Sequence, residues 1–429
     1  MLIAGADNYK NFIKSNGLTF ITCLLSVIIM AVYVYWLPPA MILWVLFWII
    51  ENKSGFHKEK LRKNKAAILF LLFIVFFFWQ VSGLLLTESL DTGVERLLKR
   101  LPFLLFPMVL FYPSGRILKN IDMILRLFAI FTFLYILYCF GNALHHSLIN
   151  QDRKWLFRPH PLDYDYENFF YGARFSGPIH PSYLSMYIIT AVLILFESFD
   201  NADKYFKKGL SAVMIFTLII AIYLLSARAG ILAAIVILPV YFLFKFNKRL
   251  PKFVVLLIIV ALVAGFVVIA RKNDRVNSSI EQISNQKFHE ILNDDPRLLI
   301  WQSAIGVIKR NIILGVGPGD ATVKLKEEFI SRGYIDGYYS NLNAHNQFLE
   351  IWLENGLIGL IIFLAILVYM LHVAICQKNI LLGLFVVSII IFFLFETMMN
   401  RQAGVSFFSL FSFLLIWARG KSDMQVKDS

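Results

Sequence analysis

The sequence predicts an all-α, polytopic membrane protein, and three observations carry that expectation. Hydrophobic residues make up 59% of the chain and charged residues 16%, with a mean hydropathy of +0.68, a balance that only lipid or other apolar helices can satisfy. Apolar runs approaching the ~20 residues needed to cross a bilayer recur along the whole length. Charges gather in the connections between those runs.

Candidate spans lie at 18–36, 39–50, 66–86, 101–113, 122–143, 181–199, 210–226, 230–246, 253–270, 355–375, 379–396 and 403–418, giving about twelve helices. The runs at 39–50 and 101–113 are short, and either fits a re-entrant segment as well as a full crossing. The first run starts after Gly17 and flows into Pro38-Pro39 without a small-residue cleavage pattern, so it reads as a retained span. Cys23, Cys139 and Cys376 fall in or beside spans and offer neither a disulfide framework nor metal spacing.

Lysine and arginine outnumber aspartate and glutamate 41 to 28, which in a soluble chain would suggest nucleic acid, but their placement points elsewhere. Lys53, Lys58, Lys60, Arg62, Lys63 and Lys65 share one loop, Lys204, Lys207 and Lys208 a second, and Lys248, Arg249 and Lys252 a third. These are alternate loops, so the positive-inside rule makes them cytoplasmic, with Lys10 and Lys14 placing the N-terminus there too. An even number of spans returns Arg419 and Lys421 to the same side. The expected organisation is membrane helices over 1–143, an outer loop at 144–180, helices over 181–270, a long outer loop at 271–345, helices over 346–418, and a cytoplasmic tail at 419–429.

Long loops usually carry function. The first outer loop, which ends at His180, sets many aromatics beside Arg153, Arg158 and Arg174; this suits stacking on sugar rings and equally an interfacial aromatic belt. Its Asp163-Tyr164-Asp165 triplet resembles the metal site of nucleotide-sugar glycosyltransferases, but so short a pattern arises often by chance. "SARAG", Ser226 to Gly230, leaves Arg228 at an outer membrane boundary. "DDPRLLIWQSA" carries Arg297 just inside a proline-started helix. "GVGPGD", Gly315 to Asp320, is a glycine turn whose amides are expected to be free to face an anion. "AHNQFLEIWLENGLIGL" brings His345 and Asn346 to a helix start, with Glu350 and Glu354 spaced to share one face. Those carboxylates either hold the histidine, pair with arginines, or sit half-solvated at the interface. Glu396, Asn400 and Arg401 reach the outer boundary again. A boundary arginine usually snorkels to headgroups and a lone histidine usually caps a helix. The conjunction on one side instead suggests anion binding beside a titratable base.

Over about residues 175–410 these motifs, in this order and spacing, resemble the O-antigen ligase and polymerase superfamily of bacterial membrane glycosyltransferases. The resemblance implies a glycan donor on undecaprenyl diphosphate at the periplasmic face of the inner membrane. It also implies an acceptor hydroxyl, that of lipid A core for a ligase or of a second lipid-linked repeat for a polymerase. No cofactor, metal or nucleic acid is implied; membrane lipids are the other partner. Carried over by motif, Arg228 and Arg297 bind the diphosphate and His345 activates the acceptor, with Arg401, Gly317, Gly319, Asn346, Glu350, Glu396 and His180 as weaker contacts to diphosphate or glycan. The chain stops soon after its last span, which argues mildly against a protein-glycosylating relative. A transporter or flippase would place ionisable groups deep within spans, where few are found, and a scaffold would give the outer arginines and histidine no purpose.

Overall fold

The computed structural model describes residues 17–52, 66–111, 113–149, 169–200, 205–246 and 296–418. The expected span 253–270, Arg153, Arg158, Asp163, Asp165 and most of the basic clusters lie outside the described residues.

Among the described residues every regular element is helical. Seven helices are long and apolar enough to cross a membrane: Val34–Glu51, Ala67–Leu86, Ile121–Leu148, Pro181–Phe199, Tyr205–Leu224, Arg228–Lys245 and Gln347–Cys376. Gly17–Val32, Ile380–Phe395 and Gln402–Trp417 are apolar but shorter. The run expected at 101–113 forms only the nine-residue helix Pro102–Leu110, about 14 Å long at 1.5 Å per residue and too short to cross. Proline at its first position suits a helix start, and the segment is buried against Gln402–Trp417. Ser409 Oγ donates to the Pro102 carbonyl at 2.8 Å, and Trp417 Nε1 to that of Leu110 at 2.9 Å.

The chain divides into two compact units: Met1–Cys23, Pro38–Ile121 and Gln282–Ser429 form one, Leu24–Leu37 and Asp122–Glu281 the other. At the heart of the first unit Phe73, Phe76, Phe103, Phe363, Phe393 and Phe408 interlock, most of them edge-on or tilted, at centroid distances such as 5.7 Å for Phe73–Phe103 and 5.4 Å for Phe76–Phe363. In lipid the exclusion of water does not draw helices together, so such shape fit and the few polar bonds carry the association. The helix Leu90–Arg100 is different in kind. Leu90, Val94 and Leu98 are exposed on one face, while Gly93, Leu97 and Arg100 are buried on the other.

The second unit is organised on Pro181–Asp200, whose residues 181–195 are almost all buried and which packs against Tyr205–Leu224 and Arg228–Phe246. A helix apolar on all sides belongs in such a position. Gly230 lets the backbone of Arg228–Phe246 approach Ser185, which any side chain there would strike. Tyr135 Oη donates to the Ser176 carbonyl at 2.8 Å and anchors the short turn Gly172–Ser176.

Candidate functional site

The stretch from Asn343 to Asn355 builds the site. Asn346 caps the helix Gln347–Cys376: its side-chain oxygen accepts from the amides of Phe348 at 2.9 Å and Leu349 at 3.1 Å. Because asparagine does this, His345 does not have to. His345 stands one residue earlier at φ 45°, a left-handed conformation costing a non-glycine residue about 1–2 kcal/mol, with its amide donating to Asn343 Oδ1 at 3.0 Å. Its imidazole is partly exposed and Nδ1 lies 3.6 Å from Glu396 Oε2. Glu396 adopts an extended conformation immediately beyond the helix Ile380–Phe395, and the guanidinium of Arg297 lies 5.7 Å from the ring centroid of Phe395. Arg297 is the second residue of the helix Pro296–Arg310, as expected from the proline before it.

Beneath this mouth lie the two carboxylates, and both are buried, so the half-solvated alternative does not hold. Glu354 pairs with Arg96, and Arg100 Nη2 lies 2.7 Å from its other oxygen at an angle that makes an ion pair rather than a directed hydrogen bond. Glu350 lies 3.7 Å from Arg96, accepts from the Ala344 amide at 3.0 Å and accepts from Asn400 Nδ2 at 2.8 Å. Arg96 also bonds Thr322, and Arg100 donates to Gln80 at 2.8 Å and Asn400 at 3.3 Å. The partner arginines are therefore Arg96 and Arg100, which the motifs did not single out. A signal existed: two glutamates four apart are met by two arginines four apart in "RLLKR".

The glycine turn corrects an expectation. Its amides do not stand free for an anion: Val316 N and Gly317 N donate to the carbonyls of Leu353 and Glu354, each at 2.9 Å, and Gly319 N reaches Thr87 Oγ1 at 3.4 Å. The turn satisfies a helix that breaks at Gly356, where φ 65° and ψ −173° are open to glycine alone. Leu357 N completes the clasp by donating to Ile312 O at 2.8 Å. Gly317 and Gly319 touch Thr87 and Ser89 so closely that a side chain at either would clash. Asp320 accepts from the amides of Glu88 at 2.7 Å and Ser89 at 2.9 Å, where Leu90–Arg100 begins. Burial acts to raise its carboxyl, but those two amides, the Ser89 side chain and the charge of Lys324 together outweigh it and hold the group below the usual aspartate range.

The structure thus brings together His345, Asn346, Glu350 and Glu396, with Arg297 joined through Phe395. Arg401 is exposed at the start of the helix Gln402–Trp417, next to Asn400. Arg228 and His180 belong to the second unit. His180 caps Pro181–Asp200, its Nδ1 accepting from the Ser182 amide at 3.3 Å.

A family model described as O-antigen ligase matches residues 213–364, a stretch that takes in Arg228, Arg297, the glycine turn and His345. No curated protein matches the chain. Over that stretch the chain is similar to the O-antigen ligase superfamily its motifs resemble, and seven of its described helices are long and apolar enough to cross a membrane.

Proposed function

From the O-antigen ligase match over residues 213–364, we infer that the chain moves a glycan from undecaprenyl diphosphate to an acceptor hydroxyl on the periplasmic face of the bacterial inner membrane, acting as a ligase onto lipid A core. The observation that carries the reading is the disposition of His345. A lone helix-start histidine usually caps, yet here Asn346 caps and the imidazole is turned toward Glu396. A carboxylate on one ring nitrogen orients the ring and leaves the other to take a proton, the arrangement of a general base.

The reaction follows. His345 takes the acceptor proton as the hydroxyl oxygen bonds to the anomeric carbon, and the bond from that carbon to the diphosphate oxygen breaks with both electrons leaving on phosphate. One displacement without a covalent enzyme intermediate inverts the anomeric centre. Arg297 matches the leaving charge; a guanidinium is always charged and offers planar paired donors to phosphate oxygens. Arg228 keeps the same role on the motif alone, and Arg401 a weaker contact. With arginines neutralising the diphosphate, no metal is required.

A polymerase acting on the same donor is the second reading, favoured by nothing in the geometry but separable by one experiment. Deleting the gene should strip glycans from lipid A core; glycans that stay attached and merely lose their length distribution assign the polymerase. Unchanged glycans overturn both. Transport rather than transfer would instead trap the lipid-linked glycan on the cytoplasmic side.

A further inference from the structure

Two turns present the pair just described, Asn343–Asn346 with His345 and Glu396–Arg401 with Glu396, and they come from chain segments some fifty residues apart. Their separation is set by side-chain bonds between them. Glu350 accepts from the Ala344 amide, the residue before His345, and from Asn400 Nδ2. Gln347 Oε1 accepts from the Met399 amide at 2.7 Å, and Asn346 Nδ2 donates to the Leu394 carbonyl at 3.3 Å. The Asn400 side chain links the bracing to the buried arginines: it donates to Glu350 and accepts from Arg100, while the residue itself sits four positions after Glu396. Arg100 is buried and also paired to Glu354, so the brace reaches a fixed ion network rather than solvent.

We propose that Asn400 is a positioning residue for the transfer reaction, holding the Glu396 turn against the Glu350 and Ala344 side of the His345 turn so that carboxylate and imidazole meet. This rests on the assignment of His345 as the base. The amide is matched to its place because the two faces it meets are of opposite kind, a carboxylate that needs a donor and a guanidinium that needs an acceptor. Aspartate has nearly the same shape but, ionised, only accepts. It would set a second carboxylate against Glu350.

The test is a double-mutant cycle in membranes of cells lacking the chain, which supply both lipid-linked donor and acceptor, to which purified variants are added. Asn400→Ala should slow single-turnover transfer about 10- to 100-fold, with donor KM little changed, because it acts through the base rather than on the diphosphate. Asn400→Asp, near-isosteric, should be at least as slow. In a His345→Ala background either change should add almost nothing, since a positioning residue cannot disorder a base that is absent. Melting in detergent is read in parallel, and folded Asn400→Asp keeps the test open if Asn400→Ala fails to fold. Asn400→Asp at wild-type rate, or losses that multiply with that of His345→Ala, would overturn the positioning role alone. His345→Ala at full rate would overturn the base assignment and the positioning with it.

Discussion

Among the described residues two helices begin within two positions of a histidine, and the two histidines do different things. At Pro181–Asp200, in the second unit, His180 is the cap, its ring nitrogen accepting the Ser182 amide. At Gln347–Cys376, in the first unit, Asn346 supplies the cap, and His345 is displaced one residue upstream into a left-handed turn with its ring facing Glu396. Below the first lie hydroxyls bonded within their own helix, such as Ser185 Oγ to the Pro181 carbonyl at 2.8 Å; below the second lie buried charges. A histidine beside a helix start therefore carries little information by itself. Which side chain takes the first free amides decides whether the imidazole is occupied or available.

Exchanging each histidine for asparagine tests that contrast most directly. Asparagine tolerates a left-handed conformation and makes a good cap, so both variants should fold with melting temperatures near that of the parent protein. His345→Asn should nevertheless lose about 10²- to 10⁴-fold in single-turnover transfer. A His345→Asn protein with near-normal rate would return the histidine to a structural role and move the base to Glu350 or Glu396.

Next in size is Glu354→Ala, which removes the buried carboxylate paired to both Arg96 and Arg100 and should cost about 3–5 kcal/mol in detergent unfolding, whereas Ser185→Ala should cost about 1 kcal/mol or less. Equal losses would mean that Arg96 and Arg100 find other partners and that the ion network does not hold the entrance. Removing the caps comes after that: Asn346→Ala should lose about 1–2 kcal/mol and His180→Ala no more than about 1 kcal/mol, because one accepts two amides and the other accepts one. The smallest effect is a pH response. A carboxyl whose folded pKa is depressed contributes stability that is present above its unfolded value, near 3.9, and is lost as pH falls through the lower folded value. Asp320→Asn should therefore weaken the protein at neutral pH and flatten its acid unfolding below about pH 4; an unaltered acid limb would show that the amides of Glu88 and Ser89 contribute nothing through charge.

Much of this was legible in the residues. Hydropathy marked the long spans because each is nearly uniform in apolar character, and Pro296 marked the start of Arg297's helix. The run at 101–113 stays open in sequence between a crossing and a re-entrant segment, because Pro102–Leu110 is apolar yet buried in protein, and composition does not distinguish protein from lipid as a surrounding. The glycine turn misled, since free and occupied amides read alike in sequence. Arg96 and Arg100 escaped notice because their partners lie some 250 residues away, and a pairing over that distance is fixed by folding rather than by spacing. The capping asparagine, by contrast, stands beside His345 in the sequence, which does not say which of the two takes the first free amides.

The break at Gly356 also constrains how the protein is made. The part of the helix after it, Leu357–Cys376, is about 30 Å long and can enter the bilayer as an ordinary span on its own. The part before it is not completed alone, because the carbonyls of Leu353 and Glu354 and the amide of Leu357 bond to the backbone of residues 312–317. Lipid leaves such groups no alternative partner. Insertion and assembly of the entrance are thus separable events: the span can enter the bilayer by itself, but the segment bearing His345 is set only once residues 312–317 have folded back on it.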